Sequence, residues 1–320
     1  MPCLPADVKR PAAPSASAVP QRSPATLVDV RHVTGVTDGT LLSRRRLLVG
    51  LAATAALAGV AKYGTEAPGQ AVTPAAAPAG APAALVETWP PLAPPPPASA
   101  RVALPGGGEL NLLPGTGDLV AITLDDGVDT DVVRAYARFA KDSGIRLTMF
   151  VTGVYASWTD NRDLLAPLVE SGQVQLANHT WVHPNLTTLS PHEVAGELRR
   201  NDDFLRTTFG VDATPYFRPP YGAYDDMVQK VAGDLGYTAT TLWNGTLGDD
   251  VVLAPRDVVA NAEKYCVPSS IVIGHLNHDP VTSVYHQFID VIRARNLRTV
   301  TLDDVFTKPE VARLVSGYPS

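Results

Sequence analysis

Cysteine is scarce in this chain of 320 residues, in which Cys3 and Cys266 are the two examples. Cys3 precedes a predicted export segment, so cleavage of that segment would leave Cys266 without a partner for an intramolecular disulfide. We therefore expect a hydrophobic core, and not cross-links, to hold the fold. The 45% of hydrophobic residues is typical of a globular chain with such a core.

Positive charge is also in deficit. The chain has 26 Lys and Arg residues against 32 Asp and Glu residues, which gives a formal net charge of −6. Phosphate backbones are bound by strongly basic faces. The composition therefore argues against nucleic acid as the main partner.

The chain lacks an apolar run of membrane-spanning length. The apolar residues 47–61 number about 15, whereas a spanning helix needs roughly 20. They follow a basic cluster at 44–46, and a basic cluster before a short apolar run is typical of a secretory signal. The paired arginines resemble a bacterial twin-arginine signal. We predict a disordered, exported leader over 1–63; an uncleaved membrane anchor is the alternative, and it would be the protein's contact with a membrane.

Residues 64–100 are rich in proline and alanine and end in four consecutive prolines. Such a composition favours extended polyproline conformation, so we predict a linker that acts as a spacer. An ordered arm packed on the domain is the alternative. The predicted leader and linker together favour a secreted or cell-wall-associated protein, with residues 101–320 as its catalytic domain.

From residue 118 onward, short apolar runs rich in β-branched residues alternate with segments of helical spacing. The runs predict strands over 119–124, 145–152, 174–177, 216–217, 238–243, 270–273 and 298–302. The other segments predict helices over 130–143, 164–171, 191–209, 224–235, 255–265 and 281–295. Ser190 and Glu193 form a capping-box pattern at the start of the third helix.

Strands that alternate with helices predict an α/β fold with a parallel sheet covered by helices. About seven strands are too few for a regular eight-fold barrel. We therefore expect a distorted or incomplete (β/α) barrel, and an open doubly wound sheet is the alternative. In both architectures the functional residues lie at the carboxyl ends of the strands.

Acidic and imidazole side chains follow two of these strands. Asp125 and Asp126 end the first strand, where two adjacent carboxylates are costly unless they are used or solvated. His179 and His183 follow the third, and their spacing of four suits a divalent metal. Ordinary solvated turns would also explain each pair. With Asp126, the histidines form a two-His, one-carboxylate set that suits zinc with a position left open for water.

Two further segments carry polar residues at strand ends. Arg218 and Tyr221 lie in an Arg-Pro-Pro-Tyr-Gly segment whose prolines stiffen the backbone. A guanidinium fixed beside a carboxylate keeps that carboxylate ionised. His275 ends the sixth strand, where it could be a general acid, and His278 is a competitor for that role. An ordinary surface turn is the alternative interpretation of the Arg218 segment. A core histidine without a catalytic role is the alternative for His275.

These segments resemble the successive motifs of the polysaccharide deacetylases, carbohydrate esterase family four, which carry the NodB homology domain. The resemblance covers roughly 118–306. The matching segments are Thr123-Leu124-Asp125-Asp126-Gly127, His179-Thr180-Trp181-Val182-His183, Arg218-Pro219-Pro220-Tyr221-Gly222 and Ile273-Gly274-His275.

The resemblance implies a distorted (β/α) barrel, a bound divalent metal (usually zinc, sometimes cobalt) and a polysaccharide or oligosaccharide substrate. It implies hydrolysis of N-acetyl groups on peptidoglycan or chitin-like sugars, or of O-acetyl groups on xylan. By the resemblance, the metal ligands are Asp126, His179 and His183. The catalytic residues it implies are Asp125 as base, Arg218 as its partner, the backbone N–H of Tyr221 at the oxyanion and His275 as acid.

The chain departs from the family pattern after Trp243. Thr246 stands where an aspartate is usual, and Asp250 stands where a second tryptophan is usual. The sequence therefore leaves open which acidic residue pairs with Arg218 or His275, and Asp249 is the candidate substitute. A small-amide hydrolase and a non-catalytic carbohydrate-binding protein on the same scaffold are the competing functions. A wall-crossing spacer slightly favours peptidoglycan as the substrate.

Overall fold

The computed structural model describes residue 89 and residues 91–106 and 108–308. The predicted leader, its basic cluster and its apolar run lie outside these residues, as does most of the predicted linker. No helix in the described part of the chain has the length and apolarity needed to cross a membrane.

The described residues alternate between strands and helices, as the sequence predicts. The strands are β1 Val102–Ala103, β2 Glu109–Leu110, β3 Leu119–Asp126, β4 Leu147–Val151, β5 Val174–Asn178, β6 Tyr216–Phe217, β7 Ala239–Thr241, β8 Gly245–Thr246, β9 Ile271–His275, β10 Arg298–Val300 and β11 Phe306–Thr307. The helices are α1 Thr130–Ser143, α2 Ser157–Asp160, α3 Arg162–Glu170, α4 Pro191–Phe209, α5 Asp226–Asp234, α6 Pro255–Tyr265, α7 Tyr285–Ala294 and α8 Leu302–Val305.

The main sheet has nine strands, in the order β2-β7-β6-β5-β4-β3-β9-β8, with β10 also paired to β3. Every strand pair in it is parallel. The expected distorted, incomplete barrel is confirmed, and its sheet contains the seven predicted strands together with two short ones, β2 and β8. Strands β2 and β8 have two residues each, Glu-Leu and Gly-Thr, which form no apolar run for the sequence to reveal.

Alternate residues of β3 face opposite sides of the sheet, as the pleat requires. Val120, Ile122 and Leu124 pack into the larger core cluster, which includes the helices. Ala121 packs into a second cluster, to which the other strands contribute residues such as Phe150. This second, helix-poor core is the interior of a barrel and distinguishes the fold from a doubly wound sheet, which has helices on both faces.

Local capping fixes where the long helices begin and end. The Asp129 side chain accepts hydrogen bonds from Asp131 N and Val132 N at the start of α1, and Gly144 ends that helix at a φ of 76°. The predicted capping box of Ser190 and Glu193 at the start of α4 is confirmed. These caps place the loops that precede α1 and α4 at the carboxyl ends of the strands.

The end of the predicted linker contacts the domain. The Trp89 ring stacks on His286 of α7 with centroids 4.2 Å apart and meets Phe139 of α1 edge-on at 5.7 Å. Leu92 also packs against the larger core cluster. At these positions the chain is a packed arm and not the free spacer that the proline-rich composition predicts.

Candidate active site

Asp126, His179 and His183 are brought together at the carboxyl ends of β3 and β5. One ligand atom from each lies within 4.8 Å of the others. Asp126 Oδ1 is 3.4 Å from His179 Nε2 and 3.2 Å from His183 Nε2. This oxygen is buried and has no hydrogen-bond partner among the described residues. Two imidazole nitrogens and a free buried carboxylate oxygen fit a divalent metal such as zinc.

The charge state of Asp126 suits a metal ligand. Burial alone would raise the pKa of this carboxyl, but the neighbouring imidazoles of His179 and His183 and the Asn277 amide hold the pKa well below its ordinary value. Asp126 is therefore ionised at neutral pH.

The segment between the two histidines adopts a backbone that few sequences tolerate. Thr180 and His183 have φ values of 71° and 61°, in the left-handed region that costs a non-glycine residue free energy. Asn178 Oδ1 accepts from Thr180 N at 2.9 Å, and Thr180 Oγ1 accepts from His183 N at 3.1 Å. Glu197 Oε2, on α4, accepts from the backbone N–H groups of Trp181 and Val182, each at 2.9 Å. These bonds present both imidazoles to Asp126.

His179 is oriented by the strand beside it. Its Nδ1 lies 2.7 Å from the carbonyl oxygen of Arg218, so the ring nitrogen that remains for a metal is Nε2. Arg218 thus acts in two ways. Its carbonyl oxygen orients the candidate metal ligand His179, and its guanidinium contacts the candidate base Asp125.

Asp125 and Arg218 form a buried ion pair inside the barrel. Arg218 Nη1 donates to Asp125 Oδ1 at 2.6 Å, and the arginine is fully buried. The guanidinium also donates to Thr123 Oγ1, Thr241 O and Leu242 O and lies 4.1 Å over the Phe150 ring. These contacts fix the guanidinium directly beside the Asp125 carboxylate and hold that carboxylate in place as the candidate general base. No aspartate at 246 is needed to satisfy this arginine.

His275 lies on β9 directly beside Asp125 in the sheet register. Its Nδ1 is 3.2 Å from Oδ1 of Asp249, which is buried. Burial lowers the pKa of His275, but the hydrogen bond and charge of Asp249 and the charges of Asp125 and Asp126 outweigh it, so the pKa lies above its ordinary value. The proposed substitute, Asp249, therefore does contact the imidazole, and His275 is better placed for an acid than its competitor His278.

Tyr221 lies at the rim of the site. It is 70% exposed, and its ring meets the His183 ring edge-on with centroids 4.7 Å apart. Its φ of 61° turns the backbone sharply after the two prolines. The expectation that its N–H holds an oxyanion stays a prediction, because that role needs a bound substrate.

Three positioning contacts were not predicted. Asn277 Nδ2 donates to Asp126 Oδ2 at 2.6 Å, Glu197 holds the histidine segment as described above, and Trp158 Nε1 donates to Asp126 O at 3.2 Å. Trp158 also explains why a glycine follows the two aspartates, because a Cβ on Gly127 would lie 2.5 Å from Trp158 ring atoms. Neither spacing nor composition signals these contacts, because each partner is distant in sequence.

Comparisons with known proteins bear on the family that the motifs resemble. Residues 113–240 match the family model described as polysaccharide deacetylase. A peptidoglycan-N-acetylglucosamine deacetylase of Bacillus cereus is 25% identical over 199 residues, which cover 58% of this chain and 68% of the relative. The chain spans 43%, 52% and 58% of the length of three other curated relatives that it matches, so about half.

Solved structures share the fold. The chitin deacetylase of Colletotrichum lindemuthianum superposes with a TM-score of 0.57 at 26% identity, over 65% of this chain and 95% of that one. A family pseudoenzyme from Bacillus anthracis superposes with a TM-score of 0.56 at 19% identity, over 64% and 70% of the two chains. The latter is a likeness of fold alone. The resemblance seen in the sequence motifs is thus confirmed: residues 113–240 match the polysaccharide deacetylase model, and the chain shares the fold of the chitin deacetylase.

Proposed function

We propose that this domain is a metal-dependent hydrolase that removes N-acetyl groups from an extracellular glycan. One observation carries the proposal: the Asp126, His179 and His183 cluster lies beside both the Asp125–Arg218 pair and the His275–Asp249 pair. A metal site, a base and an acid within one cleft are what hydrolysis of an amide or ester needs.

The proposed mechanism gives each residue a separate task. Asp126, His179 and His183 would hold a divalent ion, zinc or cobalt, which when bound polarises the acetyl carbonyl and acidifies a water. Asp125 accepts the proton of the attacking water. The Tyr221 N–H donates to the developing oxyanion. His275 donates a proton to the leaving nitrogen or oxygen of the sugar.

The charge of the catalytic face supports an uncharged glycan as the substrate class. The loops after the strands, 127–129, 152–156, 179–190, 218–225, 242–244, 247–254 and 276–284, contain one Lys or Arg, the fully buried Arg218. Asp225, Asp250 and Asp279 are exposed in the same loops. The carboxylates of an acidic glycan would be repelled by these aspartates, and the loops offer no exposed cation to offset that repulsion. This favours chitin-like sugars over acidic cell-wall material.

Exposed apolar side chains on these loops support contact with sugar rings. Val128, Val154 and Val182 are 45–49% exposed, and Tyr221 is 70% exposed. Apolar and aromatic side chains line most small-molecule sites, and sugar rings present apolar C–H faces to them. These side chains therefore offer apolar contacts to the rings of a sugar substrate.

We further propose that the protein acts outside the cytoplasm, secreted or bound to the cell wall, after export by the twin-arginine route. The basic cluster at 44–46 and apolar run at 47–61 support this. Lysine replacement of the arginine pair, followed by fractionation of the cells, tests it. Unchanged export of the variant would exclude the twin-arginine route.

The direct test is acetate release by the purified full-length chain after chelation, with and without added zinc or cobalt. The substrates are chitin oligomers, carboxymethylated chitin oligomers of equal length, peptidoglycan and acetylxylan. We expect metal-dependent release that is fastest from the uncharged chitin oligomers. Release from acetylxylan alone would make the enzyme an O-deacetylase. Metal binding without release from any substrate would favour the small-amide hydrolase or the carbohydrate-binding protein.

A further inference from the structure

Asn277 joins the segment after β9 to the end of β3. Its side-chain Nδ2 donates to Asp126 Oδ2 at 2.6 Å, and its Oδ1 accepts from Val128 N at 3.2 Å. The backbone N–H of Val128 can only donate, which fixes the amide with its NH₂ end toward the carboxylate. Both bonds cross about half of the chain in sequence.

The rest of Asp126 is held just as closely. Its carbonyl oxygen accepts from Thr152 N at 3.1 Å and from Trp158 Nε1 at 3.2 Å, and its backbone has a φ of 73°. With Oδ2 bonded to Asn277, the remaining acceptor is Oδ1. That atom is buried, lacks a donor among the described residues and faces both His179 Nε2 and His183 Nε2.

A carboxylate can bind a metal through one oxygen or through both. An oxygen that already accepts a short hydrogen bond would be less available to a bound ion. Two imidazoles and a single carboxylate oxygen leave a position free on a four-coordinate ion, which catalysis requires. We propose that Asn277 is a positioning residue that keeps Asp126 a one-oxygen metal ligand and so keeps that position open. This inference rests on the proposed metal-dependent function.

The same residue links the metal site to the acid. Leu276 N donates to Asp125 O at 3.0 Å, and Asp129 N donates to Leu276 O at 3.1 Å, so the chain from His275 to Asn277 follows the end of β3. Asn277 continues this pairing through its side chain. The metal ligand and the imidazole acid are thereby fixed to one short, doubly anchored segment.

The test is metal affinity of the full-length protein, measured by competition between metal-free protein and a chromophoric zinc chelator. Asn277→Leu removes both hydrogen bonds but keeps the branched shape and the number of heavy atoms of the side chain, and Asn277→Ala removes the bonds together with most of the side chain. Thr282→Ala is the matched control, because it deletes an exposed hydrogen bond to Asp279 O in the same segment. We expect the zinc dissociation constant to rise about 10–100-fold in both Asn277 variants and to be unchanged in the control.

Two readouts separate positioning from a merely structural role. The gap between the unfolding temperatures of zinc-loaded and metal-free protein should narrow in the Asn277 variants, since that gap depends on affinity for the metal. The visible absorption of the cobalt-loaded protein should also change, because it reports coordination number and geometry. Zinc affinity within twofold of the parent, with an unchanged cobalt spectrum, would overturn the role of Asn277. Failure of the parent to bind zinc or cobalt would instead overturn the proposed function.

Discussion

Arg218 Nη1 lies 2.6 Å from Asp125 Oδ1 in the interior of the barrel, where neither side chain is more than 3% exposed. Removal of one member of such a pair leaves the other charge buried and unpaired, which is strongly destabilising. Removal of either side chain would therefore mix loss of stability with loss of activity. Conservative substitutions that keep the hydrogen bond are more informative.

Asp125→Asn should abolish most turnover and leave the metal bound. The amide still accepts a hydrogen bond from Arg218 but cannot take a proton from water, and loss of a general base costs about 10²–10⁴-fold in rate. Acetate release and metal stoichiometry should be measured on the same preparation. Asp131→Asn, at an exposed position of α1, is the control. Near-parent activity of Asp125→Asn would show that the base is another residue.

Asp249→Asn should move the alkaline limb of the pH–rate profile to lower pH. The carboxylate of Asp249 helps to hold the pKa of His275 above its ordinary value, so its removal lowers that pKa. The acid is active when protonated, and the variant would therefore lose activity at a lower pH than the parent does.

The control for this shift is Asp250→Asn, which changes an exposed carboxylate next in sequence and should leave the profile in place. An alkaline limb that does not move in Asp249→Asn would mean that a group other than His275 controls it. The complete profile of kcat/KM is needed, since a fall in rate at a single pH would not distinguish these cases.

Glu197→Ala should weaken metal binding, although Glu197 is not a metal ligand. Its carboxylate secures the backbone of Trp181 and Val182 in the strained segment between His179 and His183. We expect the metal dissociation constant to rise about 10–100-fold, as for other residues that orient ligands. Glu197→Gln keeps one acceptor oxygen and should recover part of the loss.

Glu193→Ala is the matched change on the same helix. It breaks the capping box at the exposed start of α4 and does not touch the histidine segment. Equal metal affinities in Glu193→Ala and Glu197→Ala would show that the loss comes from helix α4 in general.

Gly127→Ala should destabilise the fold more than Gly144→Ala does. Both glycines have positive φ, at 94° and 76°, so both substitutions incur left-handed strain of roughly 1–2 kcal/mol. A Cβ at 127 would also lie 2.5 Å from the fully buried Trp158, whereas a Cβ at 144 has no neighbour within 4 Å. Overpacking adds about 1–3 kcal/mol. Urea unfolding of the two variants gives the difference directly, and equal losses would show that Trp158 can move aside.

The sequence predicts, for a physical reason, which candidate catalytic side chains come together. Asp125, His179, Arg218 and His275 each follow a recognisable apolar strand, and parallel strands bring their carboxyl ends to one edge. Secondary structure alone is therefore enough to gather them. Asp249 was suggested only as a substitute, since no strand long enough to recognise precedes it.

The supporting contacts could not be predicted in the same way. Asn277 and Glu197 act through backbone groups of distant segments, and an isolated amide or carboxylate has no pattern that reveals its partner. Trp89 was assigned to a spacer because the prolines and alanines around it dominate the composition, although one aromatic ring is enough to anchor a chain. The contacts that the sequence did not predict are tertiary contacts, because they depend on which residues become neighbours after folding.

The bond between Asn277 and Asp126 joins residues 151 positions apart. Contacts of such separation form late, because a long loop must close before they stabilise anything. The one-oxygen ligand that we propose would thus form only after β9 has docked on β3, when almost the whole domain has been synthesised and assembled. Metal binding would then be the last step of folding. A nascent or truncated chain that ends before residue 277 would lack the hydrogen bond from Asn277 to Asp126 and would therefore bind the metal more weakly than the complete domain.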